Sequence, residues 1–222
     1  MAATYRHFVF DAYGTLFDVH SAAARHSAAI GPSWERLSQT WRTKLLEYAW
    51  VYSQAGRYVP FWRLAGQSLD FAIASVGEIP AGCRDQLLAG FRTLDAYPEV
   101  PGRLAALKAE GATLAILSNG DPDLLAEVVS SAGFDGLFDT VMSVAEVGVY
   151  KPSPRVYELA TQRFGVAPSA ISFQSSNRWD IAGAKAFGFR TVWIKRTDLP
   201  DEYPDLPPDV VLSNLEALAA AG

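Results

Sequence analysis

Apolar and polar residues follow two different patterns along this chain, and the change between them divides it into parts. In the first 16 residues and again from residue 98, short apolar runs alternate with turn residues or amphipathic stretches. That pattern predicts strands alternating with helices. Residues 20–97 instead repeat apolar positions every three or four residues, which is the period of an amphipathic helix. We therefore expect an α/β fold with a helical segment inserted after the first strand.

The inserted segment contains three predicted helices. Apolar stripes run through residues 34–52 and 61–76, and a third helix is expected over residues 84–94. Glycine and proline interrupt the pattern between residues 77 and 82, before the third helix. The segment has roughly the size of a small domain.

From residue 98 onward, apolar strands and helices follow each other regularly. After a first strand at residues 8–10, we predict strands at residues 113–117, 140–143, 171–174 and 191–194. Helices are predicted between them at residues 101–110, 122–133, 153–165 and 179–188. Repeated β–α units imply right-handed crossovers and a parallel sheet with helices on both faces. The prediction is a Rossmann-like core of residues 1–18 and 98–222, with a helical cap domain of residues 19–97.

Composition excludes several classes of partner. The net charge of −5 argues against nucleic acid or an anionic membrane surface, because both attract a basic face. No run of about 18 apolar residues could span a bilayer, and residues 1–7 lack the apolar core of a signal peptide. A single cysteine, Cys83, fits a reducing compartment, so we expect a cytoplasmic protein. The proline-rich and acidic residues 198–209 are expected to form a solvated loop.

Polar side chains stand where the predicted strands end. Asp11 alone could equally be a turn residue, since aspartate is common in turns. The carboxyl ends of parallel strands share one edge of the sheet, where ligands bind, so side chains that are distant in sequence should meet there. The residues at these ends are Asp11, Ser118, Asn119, Ser175, Asn177 and Asp180, and Lys151 precedes a predicted helix.

Residues 8–16, Ser118, Lys151 and the region up to Asp180 resemble the four motifs of the haloacid dehalogenase superfamily, and the resemblance covers nearly the whole chain. Phosphatases of that superfamily carry a second aspartate two residues after the nucleophile and usually further acids at the fourth motif, to hold magnesium. At those places this chain has Tyr13 and Ser175-Ser176, which leaves only the carboxylates of Asp11 and Asp180. Because magnesium prefers carboxylate and phosphate oxygens in an octahedral arrangement, we expect no metal and no other cofactor.

These departures resemble the L-2-haloacid dehalogenase branch of the superfamily. The matching segments are residues 11–16, 41–44, 118–120, 150–152 and 175–180. Thr43 departs from the pattern, because related enzymes often carry a longer polar residue beside the arginine. That difference leaves the pocket size and the substrate range open.

The resemblance implies hydrolysis of short L-2-haloalkanoic acids to 2-hydroxy acids and halide. Asp11 would displace the halide and form an ester, which divides one hard step into two. Water would then attack the side-chain carbonyl carbon of Asp11 and release the product. Two alternatives remain at this point: a phosphatase of the same superfamily, and a scaffold that binds small carboxylates without turnover.

The resemblance also implies roles for the neighbouring residues. Lys151 would keep Asp11 ionised by Coulomb attraction, and Ser118 would bind the substrate carboxylate. Asp180, with Ser175 and Asn177, would hold or activate the hydrolytic water.

The leaving halide needs cationic or hydrogen-bond-donating partners, which the resemblance places in both the predicted cap and the predicted core. Arg42 would grip the halide, Asn119 would donate a hydrogen bond and Trp179 would present its ring edge. Arg42 would otherwise be an ordinary surface arginine. The remaining substrate-binding candidates are Tyr13, Thr15, Leu46, Phe61 and Tyr157. The resemblance further suggests a homodimer.

Overall fold

A parallel sheet of six strands forms the centre of the computed structural model, which describes residues 5–219. The strands are β1 (His7–Phe10), β2 (Thr113–Ser118), β3 (Thr140–Ser143), β4 (Ile171–Ser175), β5 (Arg190–Ile194) and β6 (Val210–Leu212). Their order across the sheet is β3-β2-β1-β4-β5-β6, and every neighbouring pair is parallel. The predicted α/β class with a Rossmann-like parallel sheet is confirmed.

Five α-helices follow β1 and precede residue 98, within the inserted segment. They are α1 (Ser21–Ala24), α2 (Ser27–Ile30), α3 (Trp34–Gln54), α4 (Phe61–Val76) and α5 (Cys83–Arg92). The later helices are α6 (Val100–Ala109), α7 (Pro122–Ser131), α8 (Pro154–Phe164) and α9 (Arg178–Phe187). Among the described residues, no helix is both long and apolar enough to cross a membrane.

Strand β1 lies in the middle of the sheet, between β2 and β4. Its last three residues are completely buried, which explains their uninterrupted apolar run, since helices cover both faces of a parallel sheet. Asp11 follows directly, and its backbone N–H donates to the carbonyl of Gln174 at 2.9 Å. The ladder between β1 and β4 thus continues one residue further and places Asp11 at the carboxyl edge.

The amphipathic stripes of α3 and α4 pack against each other. Leu37, Trp41 and Leu45 of α3 are buried, as are Leu64 and Leu69 of α4. The indole N–H of Trp41 donates to the Ala65 carbonyl at 2.9 Å. Arg42, Leu46 and Trp50 lie on another side of α3, its second face, which remains for contacts with the strand ends.

Among the α-helices and strands of residues 5–219, two helices and one strand were not predicted individually. Helices α1 and α2 have four residues each, which is too short to display a helical period. Strand β6 has three residues, pairs only with β5, and leaves Val211 half-exposed.

Residues 198–209 contain no helix or strand, as expected, although the loop is tied to the protein near both ends. Arg178 donates to Asp201 at 2.5 Å and to the Leu206 carbonyl at 3.0 Å. Near the other end, Thr191 donates to Asp209 through its N–H and its hydroxyl, at 2.9 and 3.0 Å. The loop is therefore anchored and not simply solvated.

Candidate active site

Asp11 is only 5% exposed, and its carboxylate accepts four hydrogen bonds. Oδ2 accepts from the Thr15 hydroxyl at 2.9 Å and the Asn177 amide at 2.8 Å, and from the Ser175 hydroxyl at 3.4 Å. Oδ1 accepts from Lys151 Nζ at 3.2 Å. The two oxygens are therefore unequal, because neutral donors crowd one and a single cation faces the other.

Lys151 is completely buried and bridges two carboxylates. Its Nζ lies 2.8 Å from Asp180 Oδ2, in addition to the contact with Asp11. The other oxygen of Asp180 accepts from the Tyr157 hydroxyl at 2.8 Å. Burial raises the pKa of Asp180 from 3.8 to about 6, while the attraction of Lys151 lowers it. Tyr157 thus reaches the site through Asp180, and burial raises the pKa of its hydroxyl, which remains a proton donor.

These residues do not fit a magnesium site. The side chain two positions after Asp11 is the ring of Tyr13, which stacks on Phe91 at 5.3 Å. Burial raises the pKa of the Tyr13 hydroxyl, so this side chain carries no charge. The ammonium of Lys151 already lies between the two carboxylates that could contribute oxygen ligands. Within residues 5–219, no group of three or more His, Cys, Asp or Glu side chains could hold a metal ion.

Arg42 reaches from α3 to the strand ends. Its Nη2 donates to Asn177 Oδ1 at 3.0 Å and to the Tyr13 carbonyl at 3.3 Å. Asn177 therefore forms a hydrogen bond with both Arg42 and Asp11 and links the two side chains. In the described part of the chain, the other nitrogens of Arg42 form no hydrogen bond, and they are free for an anion.

Trp50 lies two turns after Arg42 on the same face of α3. Its indole N–H donates to the Lys151 carbonyl at 3.2 Å, and its ring meets Trp179 edge to face at 5.4 Å. Leu46 lies between Arg42 and Trp50 on this face and is half-buried. The second face of α3 thus closes over the strand ends.

Residues at the carboxyl end of β2 present their polar groups in fixed directions. The Ser118 oxygen accepts from the Gly120 N–H at 3.1 Å, which leaves its hydroxyl proton to donate. Asn119 Oδ1 accepts from the Lys151 N–H at 3.1 Å, so its NH₂ group points to the other side. The ring of Phe61, on α4, lies 5.5 Å from that of Tyr13. Strand ends and helical segment therefore contribute to one buried site.

The structure adds Ser176 and Trp50 to the residues predicted from the sequence. Ser176 donates its N–H to Thr15 Oγ1 at 2.8 Å and its hydroxyl to the Gly14 carbonyl at 2.6 Å. It thereby fixes the turn after Asp11, where Gly14 has a φ of +89° that favours glycine. Trp50 could have been found from its spacing to Arg42, whereas Ser176 lies in the matched segment 175–180 but has no spacing that shows which residue it contacts.

Comparison with known proteins agrees with this geometry. The model of the haloacid dehalogenase-like hydrolase family matches residues 5–188. The (S)-2-haloacid dehalogenase 1 of Pseudomonas sp. (strain CBS-3) is 46% identical, over 95% of this chain and 93% of that protein. A crystal structure of a dehalogenase with an intermediate complex has a TM-score of 0.94 at 39% identity, over 97% of this chain and 96% of that one.

The L-2-haloacid dehalogenase of Xanthobacter autotrophicus with chloropropionic acid covalently bound is also similar. Its TM-score is 0.86 at 35% identity, and the match covers 95% of each chain. These similarities confirm the resemblance seen in the motifs, and the chain belongs to the haloacid dehalogenase-like hydrolase family.

Proposed function

We propose that this protein is an (S)-2-haloacid dehalogenase, which hydrolyses short L-2-haloalkanoic acids to 2-hydroxy acids and halide. The observation that carries the proposal is the nearly buried carboxylate of Asp11, which faces one ammonium and three neutral donors. A desolvated carboxylate held in this way is suited to attack carbon. The dehalogenase relatives support the same reaction.

In the first step, an oxygen of Asp11 attacks the α-carbon, an ester bond forms, and the carbon–halogen bond breaks with inversion. Oδ1 accepts only from Lys151, so its lone pairs are the more available. Ser118 and nearby N–H groups bind the substrate carboxylate. Arg42, the Asn119 amide and the ring edge of Trp179 stabilise the departing halide where its charge develops.

In the second step, water attacks the ester carbonyl carbon of Asp11. Negative charge then develops on the carbonyl oxygen of the ester. The donors now gathered on Oδ2, from Thr15, Asn177 and Ser175, are placed to receive that charge as an oxyanion hole does. Asp180 accepts one proton of the water directly or through Lys151. The bond between the carbonyl carbon and the ester oxygen then breaks, the departing alkoxide takes the proton from Asp180 and leaves as the hydroxy acid, and the second proton of the water goes to solvent as the Asp11 carboxylate is restored.

The pocket for the alkyl group is assigned to apolar side chains on both sides of the site. Tyr13 comes from the strand end, Leu46 and Phe61 come from α3 and α4, and Trp179 comes from α9. Tyr13 and Phe61 already touch each other. We assign Thr15 and Tyr157 to holding Asp11 and Asp180, because those are their hydrogen-bond partners.

Residues 1–18 and 98–222 are proposed to form the core domain, and residues 19–97 the cap domain. The chain leaves and re-enters the core side by side, which supports this boundary. Asp18 N–H donates to the Asp95 carbonyl at 2.8 Å, and Tyr97 N–H donates to the Leu16 carbonyl at 3.0 Å. A cytoplasmic homodimer is proposed from the single cysteine and the family resemblance, and light scattering of the purified protein tests the dimer.

The deciding experiment measures halide release from the separate enantiomers of 2-chloropropionate in the presence of EDTA. We expect chloride and lactate from the (S)-enantiomer only, since fixed sites for the carboxylate and the alkyl group place the carbon–halogen bond of one enantiomer in line with Asp11. Chloride release that depends on added magnesium, or phosphate release from phosphate esters instead, would contradict the proposal.

Arg42→Ala is expected to lower the rate of halide release by about 10²–10³-fold, because a donor for the developing charge is lost. Arg42→Lys keeps the charge but not the planar fork, and we expect it to recover only part of the rate. The matched control is Arg36→Ala, an exposed arginine on the same helix, with unchanged activity. Equal activity of the Arg36 and Arg42 variants would remove Arg42 from the site.

A further inference from the structure

The side chain of Asp121 caps a helix that is not its own. Asp121 is the N-cap residue of α7, with extended backbone (φ −67°, ψ 153°), and its side chain forms no capping hydrogen bond to that helix. An aspartate at this position ordinarily accepts from the second or third N–H of the helix it precedes. Here Oδ1 accepts instead from the N–H of Phe61 at 3.1 Å, and Oδ2 from that of Trp62 at 2.8 Å. Both acceptors thus serve the start of α4.

Helix α4 needs this help because its own N-cap residue is Pro60, whose side chain has no acceptor. The first N–H groups of a helix have no partner within the helix. Because Phe61 is almost completely buried, water cannot serve as the acceptor for its N–H. The carboxylate of Asp121 lies at the positive end of α4, where an anionic side chain is stabilising. The Tyr58 hydroxyl also lies 3.3 Å from Oδ1.

This contact joins the two sides of the proposed pocket. Asp121 follows Asn119 by two residues, in the loop that carries the proposed halide and carboxylate donors. It bonds to the backbone N–H of Phe61, whose ring lies 5.5 Å from Tyr13 and 6.2 Å from Tyr150. The loop that binds the substrate thus also holds the residue that forms the opposite wall.

We propose that Asp121 is a positioning residue that fixes Phe61 over the site and thereby limits the size of the alkyl group. The proposal rests on the proposed function, because the alkyl group is that of the 2-haloacid. Without Asp121 the start of α4 is free to move, Phe61 moves with it, and the pocket holds a small substrate less firmly. The effect should fall on KM and on chain-length preference, while the donors around Asp11 remain in place.

The test compares wild type, Asp121→Asn and Asp121→Ala with (S)-2-chloropropionate and (S)-2-chlorobutyrate. For Asp121→Ala we expect KM for chloropropionate to rise about tenfold, with kcat changed less than about threefold. The preference for chloropropionate over chlorobutyrate should fall by about tenfold, the scale of one methylene in a pocket. Asp121→Asn keeps one acceptor oxygen and should lie between wild type and Asp121→Ala.

A double variant separates positioning from simple helix capping. Residue 60 already has extended backbone (φ −52°, ψ 142°), so Pro60→Ser combined with Asp121→Ala supplies a cap from within the helical segment. Asp121→Ala should lower Tm by about 4 °C, and the double variant should recover most of that loss without recovering the chain-length preference. Recovery of both together would overturn the proposal, as would an Asp121→Ala protein with wild-type KM and preference.

The control is Glu127→Gln, which breaks an exposed ion pair between α7 and Arg92 of α5. This ion pair also joins the strand–helix core to the helical segment, but away from the proposed pocket. We therefore expect Glu127→Gln to have wild-type KM and kcat. Altered preference in this control would mean that any contact between the two sides has the same effect, which contradicts a specific role of Asp121. A wild type that releases no halide would refute the proposed function itself. The Tm values would still test the cap.

Discussion

Asp11→Asn is expected to abolish halide release from (S)-2-chloropropionate, by roughly 10⁴-fold or more, which is the scale of losing a nucleophile. The amide has no negative charge, so its oxygen is too weak to displace halide from carbon. It also cannot match its surroundings, because its NH₂ group must face either Lys151 or the donors gathered on Oδ2. Chloride release and thermal unfolding are measured on the same preparation. The mass of the intact protein verifies that residue 11 is still asparagine and has not been converted to aspartate.

Isotope labelling of the wild type tests directly whether Asp11 forms an ester with the substrate. In a single turnover in ¹⁸O-water, the label should enter the carboxylate of Asp11, because water attacks the side-chain carbonyl carbon and not the substrate. The product hydroxyl then comes from the unlabelled carboxylate. Mass spectrometry of the peptide that contains Asp11 measures this directly, with Asp11→Asn as the unlabelled control. Label that appears in the hydroxy acid during the first turnover would mean that Asp11 activates water and forms no ester.

Lys151→Met is expected to abolish activity and also to destabilise the fold by about 3–5 kcal/mol, the usual cost of removing one partner from a buried ion pair. Lys151 is completely buried, and both carboxylates that it contacts are buried too. Methionine nearly fills the volume of the lysine stem but leaves two carboxylates without a cation. Urea unfolding measures the loss of stability, and Lys151→Arg, which keeps the positive charge, is the matched control.

The stability loss in Lys151→Met should depend on pH in a defined direction. Folding already raises the pKa of Asp180 to about 6, and removing the attraction of Lys151 raises it further. A carboxyl whose pKa is raised in the folded state makes folding less favourable as the pH rises from its unfolded pKa to its folded pKa, and raising the folded pKa further extends this loss to higher pH. The difference in stability between wild type and variant should therefore be larger at about pH 8 than at about pH 5. A pH-independent difference would mean that lost packing, not charge, dominates.

Much of this site could be predicted because a parallel sheet brings its strand ends together. Asp11, Ser118 and Ser175 each follow an apolar run, so their convergence needed only the strand order that repeated β–α units imply. Arg42 could be predicted only through the resemblance, because helical spacing places it on a second face of α3 but does not say what that face meets. The structure gives that face its partners in Asn177 and Lys151.

The contacts that could not be predicted are hydrogen bonds between distant backbone and side-chain groups. Asp121 followed by proline is the local pattern of a helix cap, and the pattern correctly places the start of α7. Nothing local indicates that the carboxylate turns to Phe61 and Trp62, about 60 residues away in sequence. Such bonds depend on which helix ends meet, and that follows from packing and not from propensity.

The adjacent crossings at Asp18–Asp95 and Leu16–Tyr97 have a consequence beyond the domain boundary. Because the inserted helical segment begins and ends at neighbouring positions, its length can change without moving any strand of the sheet. Loop closure also costs little more for a longer insertion, since the cost grows only logarithmically with length. The strand ends and the helical segment are therefore separately variable during evolution, apart from the few contacts that join them, such as the bonds from Phe61 and Trp62 to Asp121.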